Sequence, residues 1–507
     1  MDWAHLGKDL VVTVYTLALA IVCLYGFHRY ALMFLYYRHR RNAPAPAGRF
    51  ESEPHVTIQL PMYNEQFVAE RIIEATCRID WPRGRLQIQV LDDSTDSTVE
   101  IARLACDKAR AAGFDIEYVH RNDRSGYKAG ALANGLKTAK GEFVTIFDAD
   151  FVPNPDILRR SIDYFTDPGV CAVQARWEHI NRRDSLLTQT QAIYLDGHFA
   201  IEHVARNRSG RWMSFNGTAG TWRRRAIADA GGWQHDTLTE DMDLSYRAQI
   251  RGWKLVFLPD LTAPAELPPE MNAFKAQQFR WTKGGVQTCI KMLPRILLSK
   301  APLKAKIEAF FHLTCFTVHG FVLLLALLLF PAMWCRLGNT DINSLQVAWD
   351  ITVFTLATIS GSLFYIASQY ELFRDWRTVI KYLPFLIALG VGVSVSNTKA
   401  LLEALSGKQS EFVRTPKFGA GTANFEQARR QNATRKSRRR LLPYIEAAMG
   451  AYMLVCVGLT LWLIPKGIMA VPFMLMFAVG FFYVSILSIQ GRAAVRRAKP
   501  ALAPAKD

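Results

Sequence analysis

At 507 residues, 50% hydrophobic with 30 Phe and 12 Trp, the chain is long enough for several domains and too apolar for a purely soluble protein. Its formal charge of +17 does not form a stripe on a soluble surface. Much of it flanks apolar runs, as RHRR at 38–41, RRQNATRKSRRR at 429–440, and Arg492, Arg496, Arg497 and Lys499, so lipid headgroups and not nucleic acid are the partner implied. The eight cysteines show no CxxC pair and several fall in apolar runs, which implies neither a disulfide framework nor a zinc site.

Along the chain, residues 10–37 form the first run able to cross a bilayer core, which needs roughly 20 apolar residues. It is too long for a signal peptide and lacks a basic segment before it, so an uncleaved anchor is expected, with His28 and Arg29 interrupting it. Runs at 313–334, 347–369, 443–464 and 468–489 bring the expected spans to five. With all three basic flanks in the cytoplasm, an odd number of spans places the N-terminus outside. The shorter, Gly-broken run that opens at Tyr382 reads as an interfacial or re-entrant helix over about 382–405. The expected organisation is therefore 1–49 as anchor and flank, 50–302 as a cytoplasmic domain, and 303–507 as a membrane region.

The middle domain carries VTIQL (56–60), QIQVL (87–91) and FVTIF (143–147), short β-branched runs separated by helical stretches at 67–78, 98–112 and 128–140. Strand alternating with helix predicts a parallel sheet covered on both faces, with ligands outside the carboxyl ends of its strands. PMYNE follows the first strand, DDSTD the second and DAD the third, so three polar clusters converge on one edge. Asp148 and Asp150, one residue apart, repel unless a cation lies between them, and their oxygens suit a hard ion such as Mg²⁺ or Mn²⁺ better than zinc.

The ordered set YNE, DDSTD, GYKAGALANG, DAD, FNGTAGTWRR, TED and QQFRW resembles the membrane-embedded glycosyltransferases of the cellulose-synthase superfamily, above all the mannan- and glucan-synthase-like branch and its bacterial relatives. The resemblance runs from the first span to at least Lys417. It implies an α/β GT-A (Rossmann-like) domain inserted into a helical membrane region, transferring sugar from UDP-glucose or GDP-mannose with inversion. It also implies a bacterial inner membrane, with the catalytic domain cytoplasmic.

By the same resemblance Lys128 reaches the donor phosphates, and Tyr63, Glu65 and Asp93 contact the nucleoside, with Asp92 an equal alternative to Asp93. Asp148 serves donor and metal, and Asp150 the metal. Asp241 matches the base that takes the acceptor's proton, although Thr239, Glu240 and Asp241 would equally suit a helix start. Gln277 and Trp281 with Phe215, Gly217, Thr218 and Glu240 fall to the acceptor, and Arg280 to the diphosphate. Phe412, Thr415 and Lys417, within 411–419, resemble a gating loop. The chain departs from the cellulose synthases at Phe151, where they often have His, and at Arg414, where Val is common.

The expected product is a polysaccharide elongated processively and passed through the spans. A glycolipid built on diacylglycerol or ceramide and an inactive scaffold are the alternatives, and the oligomeric state is open. Asp196, His198 and His203 also invite a metal reading, but histidines five apart do not share an α-helical face, so a packing role is expected.

Overall fold

The computed structural model describes residues 3–337, 344–408, 415–420 and 441–498. The middle domain is built on a seven-stranded sheet of order β3-β2-β1-β4-β6-β5-β7. Its strands are β1 (Val56–Met62), β2 (Leu86–Asp92), β3 (Asp115–His120), β4 (Phe143–Ile146), β5 (Val170–His179), β6 (Gly220–Arg223) and β7 (Lys254–Ala265). Helices α2 (Ala69–Cys77), α3 (Thr98–Ala111) and α4 (Tyr127–Gly135) connect the first four strands, as the periodicity predicts.

The sheet is mixed, not wholly parallel. β6 runs antiparallel to β4 and to β5, while β1–β2, β1–β4, β2–β3 and β5–β7 are parallel. Gly217 and Ala219 take φ of 77° and 56°, left-handed backbone that turns the chain back as β6 enters between its neighbours.

Alternation in β1 and β2 sorts two faces. Ile58, Leu60, Ile88 and Val90 pack with Ile72 and Ile73 of α2 and Ala102 of α3. The opposite face buries polar side chains that pair across the strands: Thr57 Oγ1 donates to Gln87 Oε1 at 2.9 Å and Gln59 Nε2 to Gln89 Oε1 at 3.0 Å. Beside this face a second apolar layer joins Val144, Ile146 and Trp222 to Leu32 and Tyr36, from the C-terminal end of α1 (Trp3–His39), and to Phe364 of the Ser344–Phe373 helix. The membrane helices and the sheet therefore share one core.

Among the described residues five helices are long and apolar enough to cross a membrane: Gly7–His39, Leu303–Arg336, Leu383–Leu405, Leu442–Leu463 and Pro465–Gly491. Their number equals the expected one but their membership differs. Residues 347–369 lie in the Ser344–Phe373 helix. Leu383–Leu405 continues through a turn at Val393, and 67% of its most apolar window is buried within the protein, against 17–39% for the other four. It is clad mainly by neighbouring helices and not by lipid.

Candidate active site

The chain passes from β1 to β2 and β3 on one side, then returns to place β4 on the other side of β1. That reversal opens a crevice at the carboxyl ends of β1 and β4, the usual ligand position in such sheets. A cavity of about 180 Å³ lies there, and its walls hold Tyr63, Glu65, Asp93, Lys128, Asp148, Asp150, Gly217, Glu240, Asp241, Gln277, Arg280, Trp281, Thr415 and Lys417. Those residues are spread over some 350 positions of sequence, and the fold brings them together.

The loop after β1 is tied to the loop after β2. Asn64, at φ 54°, donates its N–H to Ser94 Oγ at 2.7 Å, and Thr95 N–H donates to Asn64 Oδ1 at 2.8 Å. Tyr63 carries the Arg124 guanidinium 3.4 Å over its ring centroid. Asp93 accepts a two-point contact from Arg121, with Nε 2.7 Å from Oδ1 and a terminal nitrogen 2.5 Å from Oδ2.

Each aspartate after β4 meets a lysine. Lys128 Nζ lies 2.5 Å from Asp148 Oδ1 and 3.0 Å from the Gly217 carbonyl, and Lys417 Nζ lies 2.5 Å from Asp150 Oδ2. Asp150 is 2% exposed, and its other oxygen, Oδ1, is buried without a hydrogen-bond partner. An orphaned carboxylate oxygen beside a second carboxylate fits a hard divalent cation. No group of three His, Cys, Asp or Glu side chains gathers for a metal among the described residues, so such an ion would complete its shell from diphosphate oxygens and water. Phe151 adds no ligand, because it is buried edge-to-face on Trp177 with centroids 5.5 Å apart.

Asp241 lies in the first turn of the Glu240–Ile250 helix, and the Thr239 side chain makes no capping bond there. Burial, then the neighbouring Glu240 carboxylate, pushes Asp241 up to about 7, and burial raises Glu240 too. Burial by itself would lower the Lys128 ammonium, but Asp148, Glu240 and Asp241 outweigh it and hold Lys128 raised. Gly217 fills the gap between base and cation: a Cβ there would lie 3.1 Å from Asp241 Oδ2 and 3.5 Å from Lys128 Nζ.

Three expected site residues stand behind the cavity wall. Asp92 is fully buried, accepting the Ser94 N–H at 2.9 Å and the Tyr118 hydroxyl at 2.8 Å, so the DDSTD aspartate that faces the cavity is Asp93. Phe215 packs in the core, edge-to-face on Trp222 at 5.4 Å. Thr218, also fully buried, accepts the Asp148 N–H at 2.8 Å and so orients that aspartate. Phe412 and Arg414 lie outside the described residues.

His198 and His203 share a helical face, contrary to the α-helical expectation. Gly197–His203 is a π-helix, in which positions five apart stack, and the His198 and His203 rings meet at 4.3 Å. The packing role holds nonetheless. His203 is fully buried, His198 Nδ1 lies 2.9 Å from Glu202, and Asp196 is held by Arg182 at 2.5 Å and Gln369 at 2.9 Å.

Sequence reading missed Arg124, Asn216, His179 and Glu266, all in the cavity wall. Glu266 follows β7, so the strand-end rule would have found it had β7 been recognised. Pro259 and Pro264 disguise that strand, and as the edge of the sheet it tolerates them.

Residues 54–284 match the family described as glycosyltransferase like family 2. Glucomannan 4-beta-mannosyltransferase 2 of Arabidopsis thaliana is 38% identical over 380 residues, covering 73% of this chain and 68% of that protein. Glucomannan 4-beta-mannosyltransferase 1 of Cyamopsis tetragonoloba is 34% identical over 417 residues, covering 80% and 77%. A mannosyltransferase from Pyrobaculum calidifontis, solved in complex with GDP-Man and Mn²⁺, superposes on 77% of this chain and all of its own with a TM-score of 0.52 at 22% identity, a likeness of fold. A GT-A-like sheet flanked by long apolar helices, and relatives of this similarity and coverage, establish that the chain belongs to the family 2 glycosyltransferases of the cellulose-synthase superfamily, among the glucomannan 4-beta-mannosyltransferase-like proteins.

Proposed function

We propose that the chain is an inverting, processive β-mannosyltransferase that takes mannose from GDP-mannose, adds it to a growing polysaccharide and passes the product across the membrane. The observation that carries the reading is the meeting of Asp241 and Lys128 around Gly217 in one cavity. A base and a cation for a leaving diphosphate are the two groups an inverting displacement needs from the protein. Asp241 takes the proton from the acceptor hydroxyl as that oxygen attacks the anomeric carbon of the donor sugar from the face opposite the diphosphate, whose bond to that carbon breaks. Lys128 and Arg280 balance the charge on the departing nucleoside diphosphate, and the Trp281 ring offers a flat face to the acceptor sugar. Asp148 and Asp150 would hold Mg²⁺ or Mn²⁺, which when bound offsets charge on the leaving oxygens.

Mannose is preferred to glucose because the relatives described above are named as mannosyltransferases. Basic flanks put the catalytic domain on the cytoplasmic side. A bacterial plasma membrane rests on the resemblance to bacterial relatives alone, since the relatives named above are plant proteins.

The test is purified full-length protein in lipid nanodiscs, offered a panel of nucleotide-sugars, with nucleoside diphosphate release and product length measured. GDP release from GDP-mannose with a ladder of long products is expected. Release from UDP-glucose alone would overturn the donor, and a single sugar on lipid would overturn processivity.

A further inference from the structure

Glu266 lies one residue beyond β7, and its side chain is 3% exposed. It gathers N–H donors from two other parts of the chain. Phe418 N–H donates to Oε2 at 3.1 Å, while Ala420 N–H and the Arg71 guanidinium donate to Oε1 at 2.8 and 2.7 Å. Arg71, near the start of α2, also donates to the Ala420 carbonyl at 2.9 Å and to the Asp150 carbonyl at 3.2 Å. One partly buried ion pair thus ties the end of β7, the loop that carries Asp150, and the 415–420 segment.

The segment so held enters the cavity. Phe418 is 1% exposed and anchors it, Lys417 reaches Asp150 Oδ2, and Thr415 Oγ1 lies 3.5 Å from Arg280. We infer that Glu266 and Arg71 are positioning residues, which hold the 415–420 segment with its lysine in the cavity and thereby set the affinity for a nucleoside diphosphate. The inference rests on the donor-site reading above.

The physical argument is preorganisation. A cation already fixed in the cavity spares the ligand the entropy of ordering it, and a fold that holds the competent position only part of the time weakens apparent affinity by that fraction. The clamp is chemically specific as well. All three groups facing Glu266 are donors, so an amide at this position turns an NH₂ toward one of them. Losing the carboxylate also leaves the partly buried Arg71 charge with only the Ala420 and Asp150 carbonyls as partners.

The experiment uses full-length protein in nanodiscs, with Glu266→Gln, Arg71→Lys and Lys417→Met compared with the parent. Hydrogen exchange of the peptide covering 415–420, without nucleotide, reads the clamp directly. Glu266→Gln is expected to raise its exchange about tenfold or more, Arg71→Lys by less, and Lys417→Met little, because the first two alone break bonds to that backbone. Binding of GDP and UDP by calorimetry, and KM for nucleotide-sugar against KM for acceptor, read the consequence. Glu266→Gln is expected to raise the nucleotide Kd and the donor KM at least about fivefold while leaving the acceptor KM within about twofold.

Unchanged exchange in both Glu266→Gln and Arg71→Lys would overturn the clamp. Faster exchange with unchanged nucleotide affinity would overturn its link to the donor. If the parent binds neither GDP nor UDP, the donor-site reading itself has failed, while the exchange result still decides the clamp. Should Glu266→Gln not fold, Arg71→Lys keeps the charge and supplies the same measurements.

Discussion

At the scale of single residues, Asp241 separates catalysis from binding. Asn matches Asp in size and as a helix cap but cannot take up a proton. Asp241→Asn is therefore expected to bind GDP with near-normal affinity and to transfer sugar at least about 100-fold more slowly, measured as initial rate beside nucleotide affinity. A rate within a few-fold of the parent would make Asp241 a structural residue and Glu240 the next base to test. Because Asp241 is pushed up to about 7, it carries a proton below that pH and is a free base above it. The parent's rate should rise with pH through about 7 and then level, and a flat profile from 6 to 8 would contradict the assignment. The same shift has a cost in stability: what the protonated carboxyl contributes below its unfolded value, about 4, is lost as the pH rises through 7. Asp241→Asn should accordingly melt no lower than the parent at pH 8. For the metal, Asp150→Asn should weaken GDP binding when Mn²⁺ or Mg²⁺ is present and leave it unchanged in chelator, and chelation should stop turnover. Full turnover in excess chelator would leave the two aspartates to their lysines alone. Residues inside ordered motifs were legible at this scale because chemistry restricts their type. Glu266 was not, since a lone glutamate carries no local pattern; only the neighbours that folding supplies give it a role.

At the scale of elements, α4 links a packing constraint to the site. It carries Lys128 in its first turn and ends at Gly135, where a Cβ would lie 2.5 Å from Gln59 Nε2 and 2.9 Å from Leu91 Cδ2. Both neighbours are fully or nearly fully buried, so neither can yield cheaply. Gly135→Ala should cost about 1–3 kcal/mol and, by tilting α4, weaken nucleotide binding as well. Thermal melting with GDP titration checks both, and an unchanged melting temperature would show that the sheet yields more than its packing implies. β1, β2 and β4 were legible because buried central strands need β-branched, apolar runs. β6 was not, since it is a short strand set by the left-handed turn before it, nor was β7, whose prolines only an edge position permits. Similarly, periodicity reports α-helix, so the π turn at Gly197–His203 and the meeting of its two histidines had no sequence signature.

At the scale of the whole molecule, orientation follows from charge. If the basic flanks set it, tags at residue 2 and within 339–344 are extracytoplasmic, while tags at residue 421 and at the C-terminus are cytoplasmic. Cleavage at residue 421 by protease added to intact cells would refute that topology. The sequence by itself determined the class of protein: apolar lengths and flanking charge are sums over local composition, and the order of motifs at strand ends follows from the direction of the chain through a sheet. Tertiary structure alone decided how far each helix is clad by protein, since Leu383–Leu405 and Leu442–Leu463 are equally apolar in sequence yet bury 67% and 28% of their most apolar windows. It alone decided which of Asp92 and Asp93 faces the cavity, because a strand end presents adjacent residues to opposite sides and only the packing of Tyr118 shows which side is filled. The joining of Glu266, Arg71 and the 415–420 segment likewise needed the fold. Buried pairing depends on distance in space, and residues so far apart in the chain hold no record of it.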